Sequence, residues 1–326
     1  MLRDAHGRTH TYLRLAVTDR CNLRCRYCMP EQGIAFAPRA ALLTFEEIVR
    51  VCDVMAKLGV TKVRLTGGEP LVRRELPELV RFLTARFPRV AMTTNGVLLP
   101  PVLDQLLADG LTHYNLSLDS LRPERFRRIT RRDDFAAARA ALDALLAAGA
   151  TTKLNVVVLR GHNDDELGDF LQLCSRGPAP EVRFIEAMPF NDDDGNHHLF
   201  LSAAEILDRI RALHPGLYPE PADAHASAQR YRIPGYPGAF ALVPAYSRSL
   251  CGSCNRLRLT PRGTLLNCLY SRRGPELLPL LRGGATDDDL AALITDYVTQ
   301  KAPHGHATEA REQSGNVFAS MTSIGG

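Results

Sequence analysis

A chain of 326 residues with 45% hydrophobic content can bury one large core or two smaller ones. No stretch of about twenty apolar residues occurs, so no membrane span is expected, and a net charge of +4 scattered along the chain gives no electrostatic footprint for nucleic acid. Arg3, Asp4 and Arg8 interrupt any apolar leader, which makes a reducing cytoplasm the expected compartment and free thiols the expected state of the cysteines. Apolar, β-branched runs predict strands at 12–17, 62–65, 89–92, 113–116, 152–158 and 181–185. Amphipathic segments predict helices between them at 45–58, 76–86, 100–108, 135–148 and 166–174, the fourth stopped by Gly149. This alternation is that of βα units around a parallel sheet, so the expected class is α/β, an incomplete (βα)6 TIM-like barrel two units short of closure. The polar run Asn191-Asp192-Asp193-Asp194-Gly195-Asn196 ends the alternation and divides the chain into residues 1–195 and a smaller C-terminal domain, 196–326. That part holds a predicted helix at 203–213 and a Pro/Gly-rich stretch at 231–238, while 320–326 carries no helical or strand signal.

Two groups of cysteines carry the chemistry. Cys21, Cys25 and Cys28 offer three thiolates where a closed metal site takes four. A four-iron cluster held by three thiolates keeps one iron open to a ligand. Zinc would need a fourth ligand, and between residues 9 and 50 only His10 offers one; plain buried thiols are the other alternative. Cys251 and Cys254, with Cys268 after thirteen intervening residues, read either as half a zinc ribbon completed by Cys174 or a histidine, or as three thiolates on another open iron. Arg256 and Arg258, at i and i+2, fall on one side of an extended segment, as phosphate-binding forks or as solvated side chains. Cys52 and Cys174 lie in predicted helices and read as buried thiols.

Ligand chemistry in parallel βα folds collects at the carboxyl ends of strands. The first strand here is followed by the cysteine loop, the second by Gly67-Gly68-Glu69-Pro70, the third by Thr93-Thr94-Asn95-Gly96. The fourth ends in Ser117-Leu118-Asp119, the fifth carries Lys153 and Asn155, and the sixth runs into Glu186-Ala187-Met188-Pro189. Taken singly, the glycine pair is a turn, Ser117 a strand-end hydrogen bond and Met188 core filler. Lysine is scarce, with only Lys57, Lys62, Lys153 and Lys301, so a lysine on a barrel strand points to a wanted compact charge.

The C-x3-C-x2-C spacing, the aromatic Tyr27 before its last cysteine and the GGEP segment resemble the radical S-adenosylmethionine (AdoMet) enzymes. Arg14 seven residues before the first cysteine, C-x2-C-x13-C with Arg-x-Arg, and a terminal Gly-Gly narrow the resemblance, over essentially the whole chain, to the GTP 3′,8-cyclases of molybdenum cofactor biosynthesis. It implies two [4Fe-4S] clusters, one on Cys21, Cys25 and Cys28, the other on Cys251, Cys254 and Cys268. It implies AdoMet on Tyr27, Gly68, Ser117 and Met188, and GTP on Arg14, Arg64, Thr93, Lys153, Arg256 and Arg258. The C-terminal domain then covers the barrel's open side, and the tail Gly325-Gly326 inserts toward the active site as a catalytic element. The implied reaction is reductive cleavage of AdoMet to a 5′-deoxyadenosyl radical, which takes the 3′ hydrogen of GTP so that the carbon radical attacks C8 of guanine. The implied partners are an external one-electron reductant and the next enzyme, cyclic pyranopterin monophosphate synthase, with room for a homodimer and no membrane or nucleic acid. Two rivals are a peptide-modifying radical AdoMet enzyme, whose extensions usually hold more cysteines, and a zinc-containing RNA-binding protein, which leaves the strand-end motifs unexplained.

Overall fold

Six runs with apolar residues at alternate positions, each followed by a helix with one apolar stripe, bury both patterns only when the helices cover the outer face of a parallel sheet. The computed structural model describes residues 1–188, 197–221, 224–312 and 320–325. Strands β1 (Tyr12–Ala16), β2 (Lys62–Thr66), β3 (Arg89–Thr94), β4 (His113–Ser117), β5 (Thr151–Val158) and β6 (Glu181–Glu186) lie parallel in sequence order. Leu13, Leu15, Val63, Leu65, Leu154, Val156 and Phe184 are fully buried in one continuous core. Their neighbours, Tyr12, Arg14, Lys62, Arg64, Lys153 and Asn155, point to the opposite face, the lumen.

The predicted helices are present with three differences. Pro100 and Pro101 lack N–H donors, so 100–108 splits into a 3-10 turn, Pro100–Val102, and a helix, Leu103–Ala108. The fifth helix shortens to Leu167–Gln172. Pro123–Thr130 is an additional helix whose buried Phe126 and Ile129 are hidden in the sequence among arginines. The predicted helix at 203–213 is present as Ala203–Leu213, with a capping box from Ser202 and Glu205.

The C-terminal segment adds β7 (Tyr218–Pro219), β8 (Gln229–Arg232), β9 (Phe240–Val243), β10 (Arg256–Leu259) and β11 (Leu265–Leu266). It builds onto both edges of the six strands, because β10 pairs in parallel with β1 and β9 in parallel with β6. The resulting order is β11-β10-β1-β2-β3-β4-β5-β6-β9-β8-β7. The C-terminal segment therefore extends the barrel wall and brings its own cysteines to the same mouth as those after β1. The helix Asp287–Thr299 returns to the helix Phe45–Lys57, where Arg50 Nε meets Asp287 Oδ1 at 2.9 Å. The run proposed as a boundary, 191–196, lies outside the described residues. The end of the chain has structure after all. Met321–Ser323 is a 3-10 turn capped by Ser320, whose Oγ accepts from Thr322 N at 3.2 Å. Among the described residues no helix is long and apolar enough to cross a membrane.

Candidate active site

The carboxyl ends of β1 to β6 open on a cavity of ≈ 360 Å3 that both cysteine groups line. Cys21, Cys25 and Cys28 come from the loop after β1, Cys251 and Cys254 from the loop before β10, and Cys268 follows β11. None of the eight cysteines is in a disulfide. Cys52 is buried in its helix, and the Cys174 thiol faces the carbonyls of Pro180 and Ala239 at 3.7 and 3.4 Å, away from this lining. Cys174 therefore completes no zinc ribbon. Each end thus presents three free thiols, and three thiolates on a four-iron cluster would leave one iron open.

At the first end, the glycines serve the cysteine loop itself. Gly68 N donates to Thr18 O at 2.8 Å and Glu69 N to Arg20 O at 2.9 Å. A Cβ on Gly67 would stand 2.4 Å from Thr18 O, and one on Gly68 2.2 Å from Arg20 O, so only glycine permits this approach. The Glu69 carboxylate accepts from Leu71 N at 3.1 Å, Thr94 Oγ1 at 2.8 Å and Asn95 N at 2.7 Å. Asn95 Nδ2 in turn donates to Asn22 Oδ1 at 2.8 Å and lies 3.8 Å from Cys21 Sγ. GGEP and TTNG are thus one brace behind the loop. Across the cavity, Tyr27 Oη donates to Asp119 Oδ2 at 2.7 Å, and Asp119 Oδ1 accepts from Val157 N at 2.8 Å. Burial pushes Glu69 up to about 7 and Asp119 up to about 6. It also raises the thiols, Cys21 to about 11 with Glu69 adding to the effect, and Cys28 to about 12.

The second end has the opposite electrostatics. Burial alone would raise the Cys254 thiol, but Arg256 Nε at 3.4 Å and Lys301 Nζ at 3.6 Å from Sγ bring it down to about 6. Lys301 is buried and also donates to Arg256 O at 2.9 Å. Beneath it, Arg8 Nε pairs with Asp4 Oδ2 at 2.6 Å while its other nitrogens donate to Ala302 O at 2.6 Å, Pro303 O at 2.7 Å and Cys251 O at 3.3 Å. His10 Nε2 sits 3.0 Å from the same Asp4 oxygen. Arg248 lies 3.6 Å over the Tyr270 ring and pairs with Glu309 at 2.8 Å, which fixes the loop ahead of Cys251.

Between the ends, Arg64, Arg14 and Arg258 stand abreast on β2, β1 and β10. The next layer toward the amino ends holds Lys62, Tyr12 and Arg256. Burial would raise the Tyr12 phenol, yet Arg64, Arg14, Lys62 and Arg256 bring it down to about 7. Burial, then mutual repulsion, lowers Arg14 to about 10 and Arg258 to about 9. Glu181 is already engaged with Lys153 at 3.5 Å, Arg183 at 2.6 Å and Arg230 at 3.0 Å. Arg64 Nε, Thr93 Oγ1 and Asn155 Oδ1 are buried with no hydrogen-bond partner among the described residues. Buried polar atoms left unmet, in a lumen with excess positive charge, fit a large polar anion.

Of the residues singled out from sequence, Tyr27, Gly68, Ser117, Met188, Arg14, Thr93, Arg256 and Arg258 line the cavity with all six cysteines. Arg64 stands beside Arg14, whereas Lys153 lies deeper, on Glu181. The tail reaches the mouth, with Met321 N and Ser320 Oγ donating to Cys28 O at 3.2 and 2.8 Å and Arg258 Nη1 donating to Gly325 O. Gly326 lies outside the described residues. Sequence reasoning missed Arg183, Lys301 and Glu186. The Glu186 carboxylate clamps the wall by accepting from Ala203 N at 2.7 Å, Tyr246 N at 2.9 Å and Ser247 N at 2.7 Å. Lysine scarcity applied to Lys301 as much as to Lys153, and Glu186 stood in a strand-end motif that drew attention only for Met188.

Comparison with known proteins gives the same picture. The sequence profile of the Radical SAM superfamily matches residues 15–174, and that of Molybdenum Cofactor Synthesis C matches residues 180–307. The chain is 40% identical over 329 residues to the GTP 3′,8-cyclase of Moorella thermoacetica, covering all of both chains. It is 41% identical over 303 residues to molybdenum cofactor biosynthesis protein 1 of Mus musculus, covering 92% of this chain and 48% of the mouse protein. The chain thus spans about half the length of that animal relative. The crystal structure of Streptococcus suis SuiB bound to S-adenosylmethionine shares the fold, with a TM-score of 0.62 at 13% identity over 93% of this chain and 68% of SuiB. Superfamily membership brings AdoMet and a four-iron cluster with it, and sets aside the zinc-containing RNA-binding reading. With full-length identity at this level, the chain belongs to the GTP 3′,8-cyclase family of the radical SAM superfamily.

Proposed function

We propose that the chain converts GTP to (8S)-3′,8-cyclo-7,8-dihydroguanosine 5′-triphosphate, the opening step of molybdenum cofactor biosynthesis. The observation that carries this reading is the polarity of one cavity. Three thiols stand with the carboxyls of Glu69 and Asp119 at one end, three thiols stand with Arg256 and Lys301 at the other, and Arg14 and Arg258 stand between them. A cationic sulfonium ligand suits the first end, and a triphosphate of about four negative charges suits the second.

Cys21, Cys25 and Cys28 fit as ligands of one four-iron cluster, with Gly68, Tyr27, Ser117 and Met188 beside it as AdoMet contacts. When bound there, that pair supplies one-electron cleavage of a carbon–sulfur bond and removal of the 3′ hydrogen from the substrate. Cys251, Cys254 and Cys268 are read as ligands of a second four-iron cluster that holds the guanine base. Arg14, Arg64, Arg256 and Arg258 bind the phosphates, Thr93 offers its unmet hydroxyl, and Lys153 joins them by exchanging Glu181 for a phosphate oxygen. The tail, held at Gly325 by Arg258, closes the wall in this reading. The task of these side chains is to fix the 3′ carbon near the AdoMet end and to exclude water, and the reading assigns none of them as a general acid or base.

The same reading includes an external one-electron reductant, cyclic pyranopterin monophosphate synthase as acceptor of the product, a cytoplasmic location and a homodimer. The peptide-modifying alternative has only the fold in its favour. Anaerobic reconstitution tests the proposal. About eight irons per chain, with 5′-deoxyadenosine and a cyclised isomer of GTP formed together, is the expected result. About four irons with zinc on the second triad, and no cyclised product, contradicts it.

A further inference from the structure

Of the four lysines, Lys301 alone is buried, with 3% of its surface exposed. A buried ammonium is costly unless an anion faces it. Among the described residues Lys57 and Lys153 pair with carboxylates and Lys301 does not. Asp4, the carboxylate beneath it, is taken by Arg8 Nε at 2.6 Å and His10 Nε2 at 3.0 Å. Lys301 Nζ meets instead Arg256 O at 2.9 Å, Cys254 O at 3.5 Å and Cys254 Sγ at 3.6 Å. Of these three atoms only the sulfur can carry a full negative charge.

Three parts of the chain, distant in sequence, hold the ammonium there. Lys301 N donates to Val298 O at 3.2 Å, so the residue continues the end of helix Asp287–Thr299. Arg8 donates to Ala302 O at 2.6 Å, Pro303 O at 2.7 Å and Cys251 O at 3.3 Å, and this one guanidinium ties the segment after Lys301 to the loop of the second triad. The first triad has a different setting. Cys21 Sγ has the neutral Asn95 Nδ2 at 3.8 Å, and the carboxyls of Glu69 and Asp119 line the cavity on its side. Reduction adds one negative charge to an iron–sulfur cluster, and hydrogen bonds and positive charge at its sulfurs favour that added charge. We propose that Lys301 is a positioning residue acting through Cys254, and that its ammonium raises the reduction potential of the second cluster while leaving that of the first unchanged. This inference rests on the second triad being a cluster site and not on the identity of the substrate.

The test uses the reconstituted full chain, as the parent and as Lys301→Met and Lys301→Gln, without GTP. Redox titration with titanium(III) citrate and mediators, followed by electron paramagnetic resonance, should show two one-electron waves in the parent, and added AdoMet should move only that of the first cluster. In both variants the wave that AdoMet leaves in place should shift down. At a fixed potential its ratio of reduced to oxidised cluster should fall about tenfold, which for a one-electron couple is about 59 mV. The AdoMet-sensitive wave should match the parent. Variants with about eight irons per chain and neither wave moved, or with both waves moved alike, overturn the proposal and leave the two-cluster reading standing. About four irons in the parent overturns both. Should the variants lose the iron of the second triad, the parent itself decides. Pulsed electron paramagnetic resonance of the reduced holoenzyme, prepared with and without nitrogen-15 lysine, should show a lysine nitrogen coupled to the AdoMet-insensitive cluster, and a spectrum unchanged by the label overturns the proposal.

Discussion

Arg258 Nη1 lies 2.5 Å from the carbonyl oxygen of Gly325, so a guanidinium on the strand beside β1 holds the chain's tail at the mouth of the lumen. Gly325 has φ +74, and a Cβ there would stand 2.8 Å from Thr66 Cγ2 and 2.9 Å from Ala16 Cβ. Gly325→Ala should therefore displace the tail, at a strain of roughly 1–2 kcal/mol, and slow turnover by about tenfold. Iron content and AdoMet affinity should not change. Full activity in this variant would mean the tail is a frayed end.

The two cysteine groups should have separable roles. Cys25→Ser is expected to abolish reductive AdoMet cleavage, measured as 5′-deoxyadenosine released. Cys254→Ser should retain much of that cleavage and lose the cyclised product. If product forms normally without Cys254, the second triad is not a substrate site.

Arg256→Ala should weaken GTP binding by roughly 1.5–3 kcal/mol, the scale of a hydrogen bond to a charged group, which is roughly tenfold to a hundredfold in Kd. Guanosine affinity should hardly move. Equal losses for both ligands would show that Arg256 acts by holding Cys254, which it also touches at 3.4 Å.

Much of this was legible in the sequence because the strands obey a strict physical alternation. Leu13 and Leu15 must face helices, so Arg14 between them must face the lumen, and Arg256 and Arg258 share a side wherever the chain is extended. The pairing of β10 with β1 and of β9 with β6 was not legible, since these four-residue strands are too short for a pattern and their partners are distant in sequence. The same is true of the tail's turn, which exists because Cys28 O and Arg258 hold it there. Lys301 was hidden for a different reason. Its meaning lies in which charges stand beside it, and that is a property of the packing.

Acid should weaken the underside of the second triad in a defined window. Burial and the Lys301 ammonium hold His10 down at about 4 despite Asp4, whereas an unfolded histidine titrates near 6.5. A folded value below the unfolded one means that this contribution is complete above pH 6.5 and is lost as pH falls toward 4. Between pH 7 and pH 5 the loss should be about 2 kcal/mol. His10→Gln should show a correspondingly shallower drop in thermal stability over that interval. A drop of the same size in both proteins would assign the acid sensitivity to other groups.

A GTP held by its phosphates near Arg14, Arg256 and Arg258 should present its 3′ carbon to the AdoMet end of the same cavity. With GTP deuterated only at the 3′ position, mass spectrometry of the 5′-deoxyadenosine formed should show deuterium gained, and GTP labelled at other ribose carbons should give none. Deuterium transferred from a different ribose position, or 5′-deoxyadenosine formed without label from any of them, would contradict the account.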